Sequence, residues 1–291
     1  MPSHAWPPVP PFDMPPARTV RVPGRGELFL RDSDPRDSHA ASPPVLLLHG
    51  WMATADLNWC GAYYDLAGAG YRVLALDHRG HGRGLRPLGG FRLADCAADA
   101  AAALRQLDAT PAIVVGYSMG GAIAQLMVRD FPDVVAGVVL SGTAQHWQDR
   151  RTRRAFRTLG ALWLMLSLAP RATWSAGFRR AGLPDSPESA WAISELMRHS
   201  PRDIVEAGRE LGRFDSRPWL HRLPVPAAVV LTTRDELVAP GKQRQLAVAL
   251  QAPIFEAPIS HLQITTSGEI YNPVLLRALG TVGGRETVAA A

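Results

Sequence analysis

The chain has 291 residues, 47% of them hydrophobic and 20% charged, with a net charge of +5. This composition excludes a fibrous repeat or a wholly disordered chain, and the length fits one large domain or two small ones. No apolar run approaches the roughly 18 residues of a membrane span, and the basic residues, arginine in every case but Lys242, are spread too evenly for a nucleic-acid footprint.

Residues 1–17 are proline-rich and lack the basic start and apolar stretch of a secretory signal, so a flexible or polyproline-like extension is expected. Two cysteines, Cys60 and Cys96, are too few for a disulfide framework and form no CxxC pair. Buried thiols and a cytoplasmic setting are expected. Residues 19–22 and 27–31 read as a hairpin around 23–26. Residues 44–48 (PVLLL) form an apolar strand followed by His49-Gly50-Trp51, and 72–76 (RVLAL) another followed by Asp77-His78-Arg79-Gly80-His81-Gly82. Residues 93–107 are alanine-rich and helical. A third strand, 112–115, runs into Gly116-Tyr117-Ser118-Met119-Gly120-Gly121 and a buried helix over 122–129. Strands follow at 134–140 and 227–231.

Strands apolar on both faces, each followed by a helix, predict an α/β fold: a mostly parallel twisted sheet with helices on both faces. Residues 143–217 break the rhythm. They contain Trp147, Trp163, Trp174 and Trp191 and no β-like run. They read as a helical lid inserted into a core made of 18–142 and 218–291.

Gly116-x-Ser118-x-Gly120 is weak as a bare pattern, but its context is specific. The serine sits between an apolar strand and a buried helix, where a tight turn needs small flanking residues. The bland alternative is a serine that only caps the helix. A serine hydroxyl needs a base to become nucleophilic. His146, His199, His221 and His261 all follow it, but His261 alone comes through a short loop after a strand-like stretch, 254–257. The base needs a carboxylate to orient it. Asp235 stands just beyond the strand 227–231, whereas no acid follows the earlier strand at Ser141-Gly142-Thr143.

With LLLHGW, DHRGHGRG, GYSMGG, the Asp235 turn and His261 in this order, the chain resembles the α/β-hydrolases. Within them it resembles the lidded branch of esterases, lipases, cofactor-free haloperoxidases and carbon–carbon bond hydrolases. The resemblance covers about 18–142 and 218–291. It implies Ser118 as nucleophile, His261 as base and Asp235 as its partner, with the backbone N–H groups of Trp51 and Met119 as the oxyanion hole. It also implies that His49 orders the oxyanion loop and that Asp77, Arg79 and Gly82 hold a turn. Serine rather than aspartate at 118 disfavours the epoxide hydrolase and dehalogenase branches. Three positions depart from the family pattern: Thr232 for a glycine, Ser260 for the glycine before the base, and Gly84 for a serine.

The expected function is cleavage of a carboxylic ester, or a related acyl bond, of a small apolar substrate. Carbon–carbon hydrolysis and perhydrolysis are alternatives on the same three residues, and a non-enzymatic receptor is a third reading disfavoured by the intact set. Trp51, Tyr117, Leu162 and Trp163 are the expected substrate contacts; the alternative is that the lid side chains merely pack against the core. No metal, other cofactor or nucleic acid is expected. The arginines at 150, 151, 153, 154 and 157 read as a solvated helix face. Beside the oily stretch 159–169 they also resemble a membrane-facing flank.

Overall fold

The computed structural model describes residues 10, 12–33 and 43–284. Most of the expected N-terminal extension lies outside the described residues; 12–16 carry no regular structure, and strand β1 (Ala17–Val22) begins directly after them. It forms the expected hairpin with β2 (Gly26–Asp32). Then come β3 (Val45–Leu48), the short helices α1 (Ala55–Trp59) and α2 (Tyr63–Gly68), β4 (Val73–Leu76) and α3 (Leu93–Gln106). The middle of the core is β5 (Ala112–Tyr117), α4 (Met119–Asp130) and β6 (Val135–Ser141). It closes with β7 (Ala227–Thr232), α10 (Pro240–Leu250), β8 (Ile254–Ala257) and α11 (Gly268–Val282).

The eight strands form one sheet in the order β1-β2-β4-β3-β5-β6-β7-β8. β1 and β2 are antiparallel additions at one edge, and β4 through β8 run parallel. The central strands are continuously apolar because both faces are covered. Side chains alternate along them. Leu46, Leu48 and Val114 pack with α3 and α4 on one side, while Val45, Leu47, Ile113 and Val115 pack with α1, α2 and α11 on the other. Cys60 and Cys96 are free and buried, one in each layer.

Between β6 and β7 the chain leaves the sheet for five helices: α5 (Arg150–Phe156), α6 (Leu159–Leu168), α7 (Pro170–Arg180), α8 (Pro187–Leu196) and α9 (Pro201–Arg213). The insertion is pinched at its base by an isolated antiparallel bridge between His146 and Asp215, and Ser216 N–H donates to Gln145 O at 2.8 Å. Among the described residues no helix is long and apolar enough to cross a membrane.

Candidate active site

The turn at Ser118 follows from close packing. Strand β5 runs straight into α4, so the chain must reverse within one residue, and Ser118 takes φ +54, ψ −116. That is a costly conformation for a side-chain-bearing residue, and it holds only where the surroundings over-determine it. They do: Ser118 N–H donates to Ser141 O at 3.0 Å, and its carbonyl accepts from Thr143 Oγ1 at 2.7 Å and from Gly121 N–H at 2.9 Å. A Cβ on Gly116 would lie 2.4 Å from Gly120 O, and one on Gly120 would lie 2.1 Å from Leu48 O, so both positions exclude any side chain.

His261 opens a short 3₁₀ turn (His261–Ile264) after β8. Its Nε2 lies 3.0 Å from Ser118 Oγ and its Nδ1 2.7 Å from Asp235 Oδ2. Asp235 follows β7 and is saturated with donors. Oδ1 accepts from Leu237 N–H at 2.9 Å and Val238 N–H at 2.7 Å, and Oδ2 from the Thr232 hydroxyl at 2.7 Å. The three side chains selected by order in the sequence are thus one hydrogen-bonded line across the parallel-strand ends of the sheet.

The rival histidines are elsewhere. His146 lies at the neck of the insertion, where Gln148 N–H donates to its Nδ1. His199 is buried and accepts from Gly82 N–H at 2.9 Å.

The three departures from the family pattern have local reasons. Thr232 supplies the hydroxyl bonded to Asp235, and Gln243 of α10 donates to both Thr232 Oγ1 (2.8 Å) and Asp235 Oδ2 (3.3 Å). Ser260 caps the turn that begins with His261, in a reciprocal capping box with Gln263. At Gly84 a Cβ would lie 2.2 Å from His78 O, so serine has no room there.

The loop after β3 is held by Gly50 N–H donating to Asn58 Oδ1 at 2.6 Å, and by His49, whose Nε2 accepts from His78 N–H at 3.0 Å. His49 therefore ties this loop to the one after β4. Among the described residues, the N–H groups of Trp51 and Met119 donate to no other protein group. In the β4 loop, Asp77 accepts from Ala55 N–H and Arg83 N–H at 2.7 and 2.8 Å, and Arg79 forks onto Asp99 with two 2.8 Å bonds. Burial pushes the Asp77 carboxyl up to about 6.

The expected substrate contacts separate. The Tyr117 side chain is buried, and its hydroxyl donates to His261 O while its ring lies 5.0 Å from the imidazole. It lies against the base and holds it. The Trp51 indole turns into the insertion: Nε1 donates to Ile204 O at 2.8 Å, and the ring meets Phe156 edge-on at 5.7 Å. Leu162 is half-buried on α6. Trp163 is exposed, with no hydrogen bond or ring contact to Ser118, His261 or Asp235.

Sequence reasoning missed Tyr117 as a support, Gln243 altogether, and the Trp51–Ile204 hook. Each rests on a partner far away in the chain. A cavity of about 530 Å³ beside the β1–β2 turn is lined by Arg25, Arg79 and Leu85 among others, and by none of the three aligned side chains.

Residues 43–253 match the family model described as alpha/beta hydrolase fold. A non-heme chloroperoxidase of Streptomyces lividans is 30% identical over 278 residues, covering 89% of this chain and 98% of that one. A 3-oxoadipate enol-lactonase of Acinetobacter baylyi is 30% identical over 69% of this chain and 76% of its own length. Among solved structures, an esterase from Exiguobacterium antarcticum superposes with a TM-score of 0.76 over 91% of this chain and 99% of that one, at 18% identity. A serine on a strained strand-to-helix turn, an ordered loop after β3 and an eight-stranded sheet carrying both thus meet a family match over most of the chain: it belongs to the α/β hydrolase fold family.

Proposed function

We propose that the chain is a serine hydrolase that cleaves a carboxylic ester, or a related acyl bond, of a small apolar substrate. The observation that carries this reading is the unbroken line Ser118 Oγ–His261 Nε2 at 3.0 Å and His261 Nδ1–Asp235 Oδ2 at 2.7 Å, with the serine on a strained turn. In this reading His261 takes the hydroxyl proton as Ser118 Oγ attacks the acyl carbon. Asp235, already accepting four other hydrogen bonds, holds the imidazole in one tautomer and balances the imidazolium that forms. The N–H groups of Trp51 and Met119 receive the oxyanion; losing one such donor typically costs on the order of 2.7–4 kcal/mol of barrier. His261 then returns its proton to the leaving group, and a water, deprotonated by the same histidine, releases the acid.

The test is labelling by a fluorophosphonate together with turnover of p-nitrophenyl esters of graded chain length. Wild type should label at Ser118 and prefer medium-chain esters to acetate; Ser118→Ala should do neither while keeping its melting temperature. Leu162→Ala should flatten the chain-length preference, and the more exposed Trp163 should matter less. Substantial turnover by Ser118→Ala sinks the reading.

A second reading is favoured by the likeness to the chloroperoxidase. Here hydrogen peroxide replaces water in the second half-reaction, attacks the acyl-enzyme and leaves as a peracid. Peracid formation from acetate and peroxide, absent in Ser118→Ala, distinguishes it.

A further inference from the structure

Helix α6, LGALWLMLSL, has one polar side chain in ten residues. A helix apolar on every side is normally buried on every side. This one buries only Leu159 and Leu166, a stripe turned toward the rest of the insertion: Leu159 meets the Gly208 position of α9, and Leu166 lies with Trp174 and Leu196. The opposite side is open, with Trp163 46%, Leu164 50%, Met165 50% and Leu168 76% exposed. The following helix, α7, has no buried residue at all.

The charge around this face is one-sided. Residues 150–184 contain eight arginines and no aspartate or glutamate, so against a total of +5 the rest of the chain is net −3. The described side chains of Arg150, Arg154, Arg157, Arg171, Arg179 and Arg180 are exposed, and among the described residues none is ion-paired. Elsewhere the arginines are largely paired, as Arg31, Arg72, Arg79 and Arg83 are. An oily helix flanked in the chain on both sides by exposed, unneutralised guanidinium groups fits a surface that is apolar within and anionic at its boundary.

From this juxtaposition we propose that α6 and α7 form a docking face for an anionic lipid bilayer, with Leu164, Met165 and Leu168 entering the acyl boundary and the arginines meeting the headgroups. A second copy of the chain is the competing cover for the apolar face, but face-to-face pairing would set one unneutralised arginine set against another. The proposal does not depend on the chemistry at Ser118.

The experiment is vesicle flotation of the full chain with phosphatidylcholine alone and with phosphatidylcholine plus phosphatidylglycerol, at low and high salt, beside light scattering of the free protein. Binding should require phosphatidylglycerol and weaken with salt. L164Q/L168Q should lower it more than tenfold, and R179Q/R180Q by about fivefold for each arginine removed, with thermal melts showing both variants folded. The proposal is overturned by no flotation, by equal binding to neutral vesicles, or by binding that L164Q/L168Q leaves intact. A dimer in solution that L164Q/L168Q dissolves would overturn it in favour of a second copy.

Discussion

Helices α8 and α9 belong to the same insertion as α6 and α7, yet the two pairs hold the core by different means. The inner pair is fastened by directed bonds. Helix α9 starts at a Ser200 cap with Pro201 in its first turn and buries Ile204, Ala207, Gly208 and Leu211 along one stripe. Ser200 N–H donates to Gly80 O, Phe91 N–H to Glu206, and the Trp51 indole to Ile204 O. From α8, buried Glu195 receives Arg83 in a fork at 2.6 and 2.7 Å, and Arg83 also reaches Asp56, which Arg31 holds from β2. The outer pair has an apolar stripe and little else. Both halves are helical and rich in apolar residues, so helix content does not tell which one is part of the core; polar partners across the seam do.

Acid should break this comparison most strongly. The inner seam contains His199, which accepts from Gly82 N–H, and His81, His49 and His78 extend the cluster at ring separations of 5.4, 5.4 and 4.2 Å. Burial holds all four neutral, His78 and His199 at about 3 and His49 and His81 well below their usual value. In the unfolded chain each titrates near about 6.5, so the unfolded state binds more protons and stability falls as pH drops below that value. For His78 and His199 the loss is about 2 kcal/mol each between pH 7 and pH 5, and His49 and His81 act in the same direction. Asp77, raised to about 6 in the fold, opposes it by about 1 kcal/mol. For His78, His199 and Asp77 together the net is about 3 kcal/mol, a large part of the stability of an ordinary domain. The melting temperature should therefore fall steadily from pH 7 to pH 5, with His78→Phe removing about one proton from the slope. A melting temperature flat from pH 7 to 5 would show that the cluster is not held neutral.

Glu195→Ala comes next. It leaves Arg83 without its fork, and because Arg83 is partly exposed the loss should be about 2–3 kcal/mol, below that of a fully buried pair. Urea titration would measure it. Gly208→Ala is smaller: its Cβ would lie 2.7 Å from the Trp51 ring, so the indole must move off Ile204, at about 1–3 kcal/mol. Because Trp51 also carries a proposed oxyanion donor, kcat should fall with it. Leu168→Ser in the outer pair should change stability by no more than about 0.5 kcal/mol. A loss as large as that of Glu195→Ala would mean that α6 is core after all.

The sequence by itself determined the sheet, the turn and the three aligned side chains. Strands 45–48, 73–76 and 112–117 are buried on both faces, and such strands leave an unbroken apolar run. The strained turn must have glycines where backbone meets backbone, so Gly116 and Gly120 record a contact in one dimension. Ser118, Asp235 and His261 were legible because each follows a strand, and parallel strands deliver their ends to one edge. Helices α1, α2, α10 and α11 were not read, since their faces are defined only by what packs on them. Tertiary structure alone decided that Tyr117 supports His261, that Gln243 steadies Asp235, and that Trp51 turns into the insertion. It also decided which half of the insertion is buried. Leu159 and Leu168 are the same residue type on one helix, yet one is buried and the other 76% exposed. Local sequence encodes propensity and period, whereas burial depends on a partner surface that folding brings from elsewhere in the chain.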